Sequence, residues 1–237
     1  MLGPGKRVLA RLRFAHKVAV IGAVLVVPVA VLAQGQVSAI SGQQAFAEDE
    51  RDGVAYLRPA LDLYGRLTAL RVELAGGSAS ADLAPAVADL AAAEAELGEG
   101  LLTTESWSDA QAALDALPAT LGPADSEALD AAVAAVGAVV GAASDGSQLT
   151  FDPELASYFT WDVATARLTG VLDAASTGAL LVATGGSSAD LAVAADRLAS
   201  AADLTAAELA KAYPEDPGTA ALQPQEAAVT TAAAALA

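Results

Sequence analysis

Beyond residue 33 the chain carries seven basic side chains against 29 acidic ones, so each arginine there is a candidate for holding an anion. Arg58 and Arg167 stand out, because a guanidinium can clamp a carboxylate through two parallel N–H···O bonds. The simpler use of an arginine in so acidic a chain is an intrahelical ion pair, such as Asp62 with Arg58 or Arg66. Tyr158, Phe159 and Trp161 form an aromatic cluster that suits either a ligand wall or packing against a neighbouring helix. The candidate ligand-binding residues are therefore Arg58, Arg167, Tyr158 and Trp161. Catalytic and metal-ligating sets are not offered. The chain has no Cys, and its one His, His16, stands beside Lys17 near the N-terminus. A thiolate nucleophile, a His-based triad or a His-ligated zinc site cannot be built from these residues alone. The sequence points away from an enzyme, and no cofactor or metal is expected. Nucleic acid is an unsuitable partner for such an acidic surface. The acidic excess fits a solvated face that keeps the chain soluble, or attraction of cations such as amines or metal ions.

The elements that must position these residues are helices. The sequence beyond the N-terminal segment is rich in Ala, Leu, Val, Asp and Glu and poor in aromatics, and alternating β-branched runs are nearly absent. Val37–Ala75 reads as one long helix with a stripe at Val54, Leu57, Leu61, Tyr64, Leu67, Leu70 and Leu74, spaced by three or four. Tyr56 is assigned to the same core. Gly76-Gly77 ends this helix, and Ser78–Ala81 is read as a turn. A second helix is expected from about Asp82, as N-cap, to Leu102, with Pro85 in its first turn. A third is expected from Ser108, where Ser108 and Gln111 have capping-box spacing, with Trp107 as a staple at its start. Pro118 to Pro123 interrupt it. A fourth is expected from Asp125 or Ser126 to about Ala143, before a linker at Ser144–Ser147. Asp152-Pro153-Glu154 then combines an N-cap, a first-position proline and an acid at the positive helix end, opening a helix that runs to Gly185-Gly186. Helices from Ser188 to Ala212 and from about Thr219 onward complete the reading. Gly-Gly-Ser with Ala-Asp-Leu-Ala occurs at Gly76–Ala84 and again at Gly185–Ala192, and Arg-Leu-Thr precedes each, at Arg66–Thr68 and Arg167–Thr169. The fold class is all-α: an elongated helical bundle, with two stacked modules if the echo is a duplication.

Charge divides the chain. Residues 1–33 hold five of the twelve Lys and Arg and none of the Asp and Glu. These basic residues precede the apolar stretch Val18–Ala33, and positive charge keeps that flank cytoplasmic while the rest is exported. The resulting organisation is a basic flank (1–17), a transmembrane helix (18–36), a first helical module (37–146) and a second (147–237). Cleavage as a signal peptide after Val31-Leu32-Ala33 is the alternative. No second apolar run of eighteen residues is expected.

The run Glu48-Asp49-Glu50-Arg51-Asp52-Gly53-Val54-Ala55-Tyr56-Leu57-Arg58-Pro59, shortly after an N-terminal membrane helix, resembles the start of the sensor region of bacterial methyl-accepting chemotaxis proteins. So does Leu149-Thr150-Phe151-Asp152-Pro153-Glu154-Leu155-Ala156-Ser157-Tyr158-Phe159, followed by Arg167-Leu168, with Thr169 where that family often has Pro. The resemblance covers roughly residues 15–185. It implies a periplasmic helical bundle that binds a small molecule, a lipid bilayer as partner and a homodimer. It further implies a second membrane helix and cytoplasmic signalling parts not seen in this sequence, as in a truncated receptor. Similar regions also precede histidine kinases and diguanylate cyclases. A secreted helical binding protein remains open beside these.

Overall fold

A computed structural model describes residues 14–149, 155–214 and 218–236. The basic flank up to Arg13 and the proposed cap Asp152-Pro153-Glu154 lie outside them, and so do the side chains of Val18–Ala33. The chain is all-α. It divides into two compact units, Met1–Glu48 and Asp49–Ala237.

Helix α1 spans Phe14–Leu74, 61 residues. Of the expected stripe, Leu57 and Leu67 are fully covered and Tyr64, Leu70 and Leu74 nearly so, with Tyr56 fully covered beside them. Val54 and Leu61 are only half-buried, and Ala60 and Leu63, which the spacing does not single out, are the fully covered residues instead. Each such leucine contributes about 1.5–3 kcal/mol by leaving water. Helices α2 (Ala84–Leu97), α3 (Thr104–Asp115) and α4 (Ser126–Gly146) pack on this stripe. Leu129, Ala132, Val133, Val136, Val139, Val140 and Ala143 of α4 supply the opposing face. Pairs that face each other set the register. Gly53 meets Ser147, Gly137 meets the Tyr64 ring and Arg71 meets Asp130, so α1 and α4 run antiparallel.

After the undescribed segment come α5 (Leu155–Asp162), a π-helical turn (Val163–Arg167) and α6 (Leu168–Thr184). Helix α7 (Ser188–Ala212) follows, then a 3-10 turn (Thr219–Leu222) and α8 (Gln223–Leu236). A smaller apolar cluster of Val171, Ala174, Leu198, Ala202 and Ala233 joins α6, α7 and α8. Gly185, with φ +71°, closes α6 in the left-handed conformation that glycine adopts without strain. Ser187 caps α7 by accepting from the Asp190 amide.

Several boundaries differ from the sequence reading. Helix α2 begins at Ala84 after Leu83, with no side-chain cap from Asp82, and ends at Leu97. Glycines Gly98 and Gly100 and a left-handed Leu102 (φ 57°) make the turn the sequence placed inside a helix. Helix α3 begins at Thr104, so Ser108 and Gln111 are exposed mid-helix residues rather than a capping box. Trp107, nearly buried, lies in its first turn and packs in the main core. The expected linker Ser144–Ser147 continues α4 to Gly146, because Ser144 and Ser147 are buried and packing holds the turn helical. The turn expected at Ser78–Ala81 and the break after Pro118 hold a small antiparallel pairing instead, β1 (Ala79–Ser80) with β2 (Thr120–Leu121). It buries Ala79 and Leu121.

Among the described residues two helical stretches, Pro123–Gly146 and Ser157–Thr184, are long and apolar enough to cross a membrane by length and composition. This corrects the expectation that no second apolar run exists. In the first stretch Leu129 and the four valines are core side chains of α4, while Ala131, Ala134 and Ala138 are exposed. The second leaves Leu168, Leu172 and Val182 exposed.

Candidate functional site

The four residues singled out from the sequence do not converge. Arg58 is exposed on α1, in an open groove with Asp62, Asp89 and Glu96, and makes no ion pair among the described residues. Three carboxylates around one guanidinium make this a poor receptacle for an anion. The expected intrahelical pair is formed by Arg66, whose Nε donates to Asp62 Oδ2 at 2.7 Å. Arg167 is also tied down within its own helical segment, its Nε donating to Asp162 Oδ2 at 2.8 Å.

The two pairs differ by one residue in spacing: Asp62 to Arg66 is four positions, Asp162 to Arg167 five. The π turn Val163–Arg167 accommodates the additional residue, so the pair closes despite the wider interval. Thr68 and Thr169 behave alike downstream, each hydroxyl donating to a carbonyl three residues back. Thr169 also donates to Thr165 O at 2.8 Å, and Thr165 to Trp161 O at 2.8 Å. Thr side chains thus occupy carbonyls around the widened turn.

Tyr158 and Trp161 both line a cavity of about 150 Å³ between α4 and the α5–π segment. Ser144 and Asp145 of α4 and Asp162 and Thr165 complete its polar wall. Ser144 Oγ donates to Thr165 Oγ1 at 3.4 Å. Tyr158 packs edge-on against Phe159, ring centres 5.2 Å apart and planes at 73°. Phe159 carries Lys211 Nζ of α7 5.0 Å from its ring centre, a cation–π contact, and Lys211 also donates to Glu208.

The residue that sequence reasoning missed is Arg71. Its side chain is 6% exposed, between three helices. Nη1 donates to Asp173 Oδ1 of α6 at 2.6 Å and lies 3.4 Å from the hydroxyls of Ser176 and Thr177. Nε stands 2.8 Å from Asp130 Oδ1 of α4. That N–H is not aimed at the oxygen, so the contact is one of charge rather than an aligned hydrogen bond. A buried guanidinium requires such partners, since desolvation would otherwise cost several kcal/mol. The available signal was only that Arg71 sits one position after a stripe leucine. Two helical turns earlier, the Tyr64 hydroxyl donates to Thr169 O at 3.2 Å. Tyr64 with Thr169 and Arg71 with Asp173 rise in number together, so α1 and α6 run parallel. Burial, with the nearby Asp173 charge, pushes the Tyr64 hydroxyl up to about 12.

A second buried polar knot holds α1 to α2. Tyr56 and Thr103 each donate to Glu94 Oε2 at 2.7 Å. Burial drives the Tyr56 hydroxyl far above its ordinary value of 10, with Glu94 adding to the rise. A Cβ at Gly98 would stand 2.1 Å from the Glu94 carboxylate, so a side chain there would displace that carboxylate from its place beside Tyr56 and Thr103.

Among the described residues no group of three or more His, Asp or Glu side chains is placed to hold a metal ion. Comparison with family models, with curated proteins and with solved structures gives no match.

Proposed function

We propose that the chain is the extracytoplasmic ligand-sensing region of a membrane-anchored bacterial receptor of the chemoreceptor type. In this reading it is not an enzyme. A single N-terminal span, Val18–Ala33, fixes the bundle to the outer face of the inner membrane. One observation carries the reading. The helix containing that apolar segment, α1, is the helix whose Tyr64 and Arg71 bond to α6, 105 and 102 positions further along the chain. A ligand that shifts the α5–π–α6 segment by an ångström or two therefore pulls on α1 through two polar contacts. Shifts of this size are a known means of carrying a signal along helices. The sequence motifs around Glu48–Pro59 and Leu149–Phe159 support the same assignment.

The chain has no cysteine, so one introduced at exposed Ser108 reports topology without interference. In intact bacterial cells, Ser108→Cys is expected to react with a membrane-impermeant maleimide, and the full chain to sediment with membranes. Removing residues 1–36 should release a helical protein into the soluble fraction. A full chain found in the cytosol, unlabelled until lysis, would refute the proposal. A mature N-terminus at Gln34 would replace it with a secreted protein.

A further inference from the structure

The π turn between α5 and α6 decides which side of α6 faces the rest of the bundle. An α-helix turns about 100° per residue, so in an unbroken helix Asp173 and Leu180 would stand about 120° and 100° round from Trp161. The structure turns all three inward: Trp161 and Leu180 pack against the main core, and Asp173 meets Arg71. The π turn Val163–Arg167 absorbs one residue and so brings Asp173 and Leu180 to within about 20° of Trp161. The ion pair of Asp162 with Arg167, at 2.8 Å, marks where that extra residue sits. Residues five apart on an α-helix lie about 140° from each other, so this pair closes only across a π turn. The hydroxyls of Thr165 and Thr169 bond to Trp161 O, Thr165 O and Ala166 O around the same turn.

Arg71 is prepared for two positions of α6. It has a counter-charge on each of two helices, Asp173 of α6 and Asp130 of α4. Nη1 is committed to α6, whereas the buried Nε lies 2.8 Å from Asp130 Oδ1 with its N–H not aimed there. Were the extra residue to move along α6 past Asp173, residues 168–173 would turn by about 100°. Asp173 would then leave Arg71, and Nε could align on Asp130, so the guanidinium would keep a partner.

We propose that the π turn is a movable register defect, latched by Arg167 and Asp162, whose migration along α6 releases Asp173 from Arg71. As the relay of a receptor this rests on the sensing function proposed above; as a property of the bundle it stands alone.

Electron paramagnetic resonance on the full chain in detergent tests it. Nitroxides on Val72→Cys of α1 and Leu172→Cys of α6 sit at exposed positions, in a chain that has no other cysteine. Arg167→Ala removes the latch and should raise a second label-to-label distance about two- to fivefold in population, the weight of a part-exposed ion pair. Deleting exposed Ala166 places Asp162 and Arg167 four apart and keeps Trp161, Asp173 and Leu180 on one face of an unbroken α-helix. That deletion should leave only the main distance, also when combined with Arg167→Ala. Should Arg167→Ala unfold by circular dichroism, Asp162→Asn carries the test. A single distance without the latch, or a second one that survives deletion of Ala166, overturns the proposal, as does loss of helicity on that deletion. Failure here with a membrane-bound, externally labelled chain removes the movable turn and leaves the sensing function. A second distance in a chain found in the cytosol does the reverse.

Discussion

Arg71 shows what one buried charge costs and holds. Its two counter-charges, Asp130 and Asp173, have side chains 56% and 52% exposed, while the guanidinium itself is covered. The two sides of the ion pair are therefore not equivalent. Replacing both aspartates by Asn strands an uncompensated cation in the interior, and unfolding free energy should fall by about 3–5 kcal/mol. Arg71→Met removes the charge and leaves two carboxylates that water can solvate, so its cost should be less than half of that. Urea unfolding followed by circular dichroism orders the variants, and the reverse order would show that Arg71 is not the desolvated partner. The tyrosines give a pH dependence of known sign. Tyr64 and Tyr213 are pushed up to about 12 from an ordinary value of 10, chiefly by burial, with Glu226 accepting from the Tyr213 hydroxyl. The unfolded chain loses these protons from pH 10 upward while the folded chain keeps them. Their contribution is complete below pH 10 and is lost as pH rises to 12. Tyr64→Phe should make stability fall less steeply over that interval, read as unfolding midpoint against pH.

At the level of elements, close approach of helices is set by glycines in particular places. A Cβ at Gly53 would stand 2.1 Å from Ser147 Cβ, an atom fixed to the backbone of the α4 terminus. Gly53→Ala must push α1 and α4 apart, and a loss of about 1–3 kcal/mol is expected. Gly65, on the same helix, has nothing within 4 Å of the position of a Cβ. There Ala lowers the entropy of the unfolded chain and clashes with nothing, so Gly65→Ala should gain about 0.5–1 kcal/mol. Thermal midpoints of the two variants should move in opposite directions; a shared direction would contradict the α1–α4 register. Helix existence was legible from the stripe on α1 and the Gly-Gly stops. The end of α4 was not: Ser144-Asp145-Gly146-Ser147 has a loop-like composition, and only burial against α1 and Leu101 keeps it helical.

For the whole molecule, the cores of the bundle are unequal. The main cluster joins α1, α2, α3 and α4 through large side chains, and Trp161 and Leu180 pack against it. The cluster under α7 and α8 is built from Val171, Leu198 and three alanines. Local opening free energy follows buried apolar contact. Amide hydrogen exchange should therefore be fastest in α8, intermediate in α7 and slowest in α4 and the Tyr56–Leu74 part of α1. Equal protection throughout would mean that the second cluster is stabilised by something other than its own packing.

Composition and spacing alone determined that this chain is helical, that Gly76-Gly77 and Gly185-Gly186 stop two of its helices, and that Tyr56, Leu57, Tyr64, Leu67, Leu70 and Leu74 face inward, while Leu61 is half-buried and Leu63 takes the buried place. Those are local properties, fixed by backbone preference and by a repeat of 3.6 residues. They also offered Asp62 with Arg58 or Arg66 as an ion pair within one helix, of which the second forms. Tertiary structure decided which helix covers which face, and with it the role of each polar residue. Arg58 and Arg167 looked like the distinctive arginines, yet Arg71 is the buried one. Periodicity reports that a face is buried without saying where its edge falls or what lies opposite. The cavity lined by Trp161 and Tyr158 likewise needs α4 beside α5, a juxtaposition set by tertiary packing rather than by any motif.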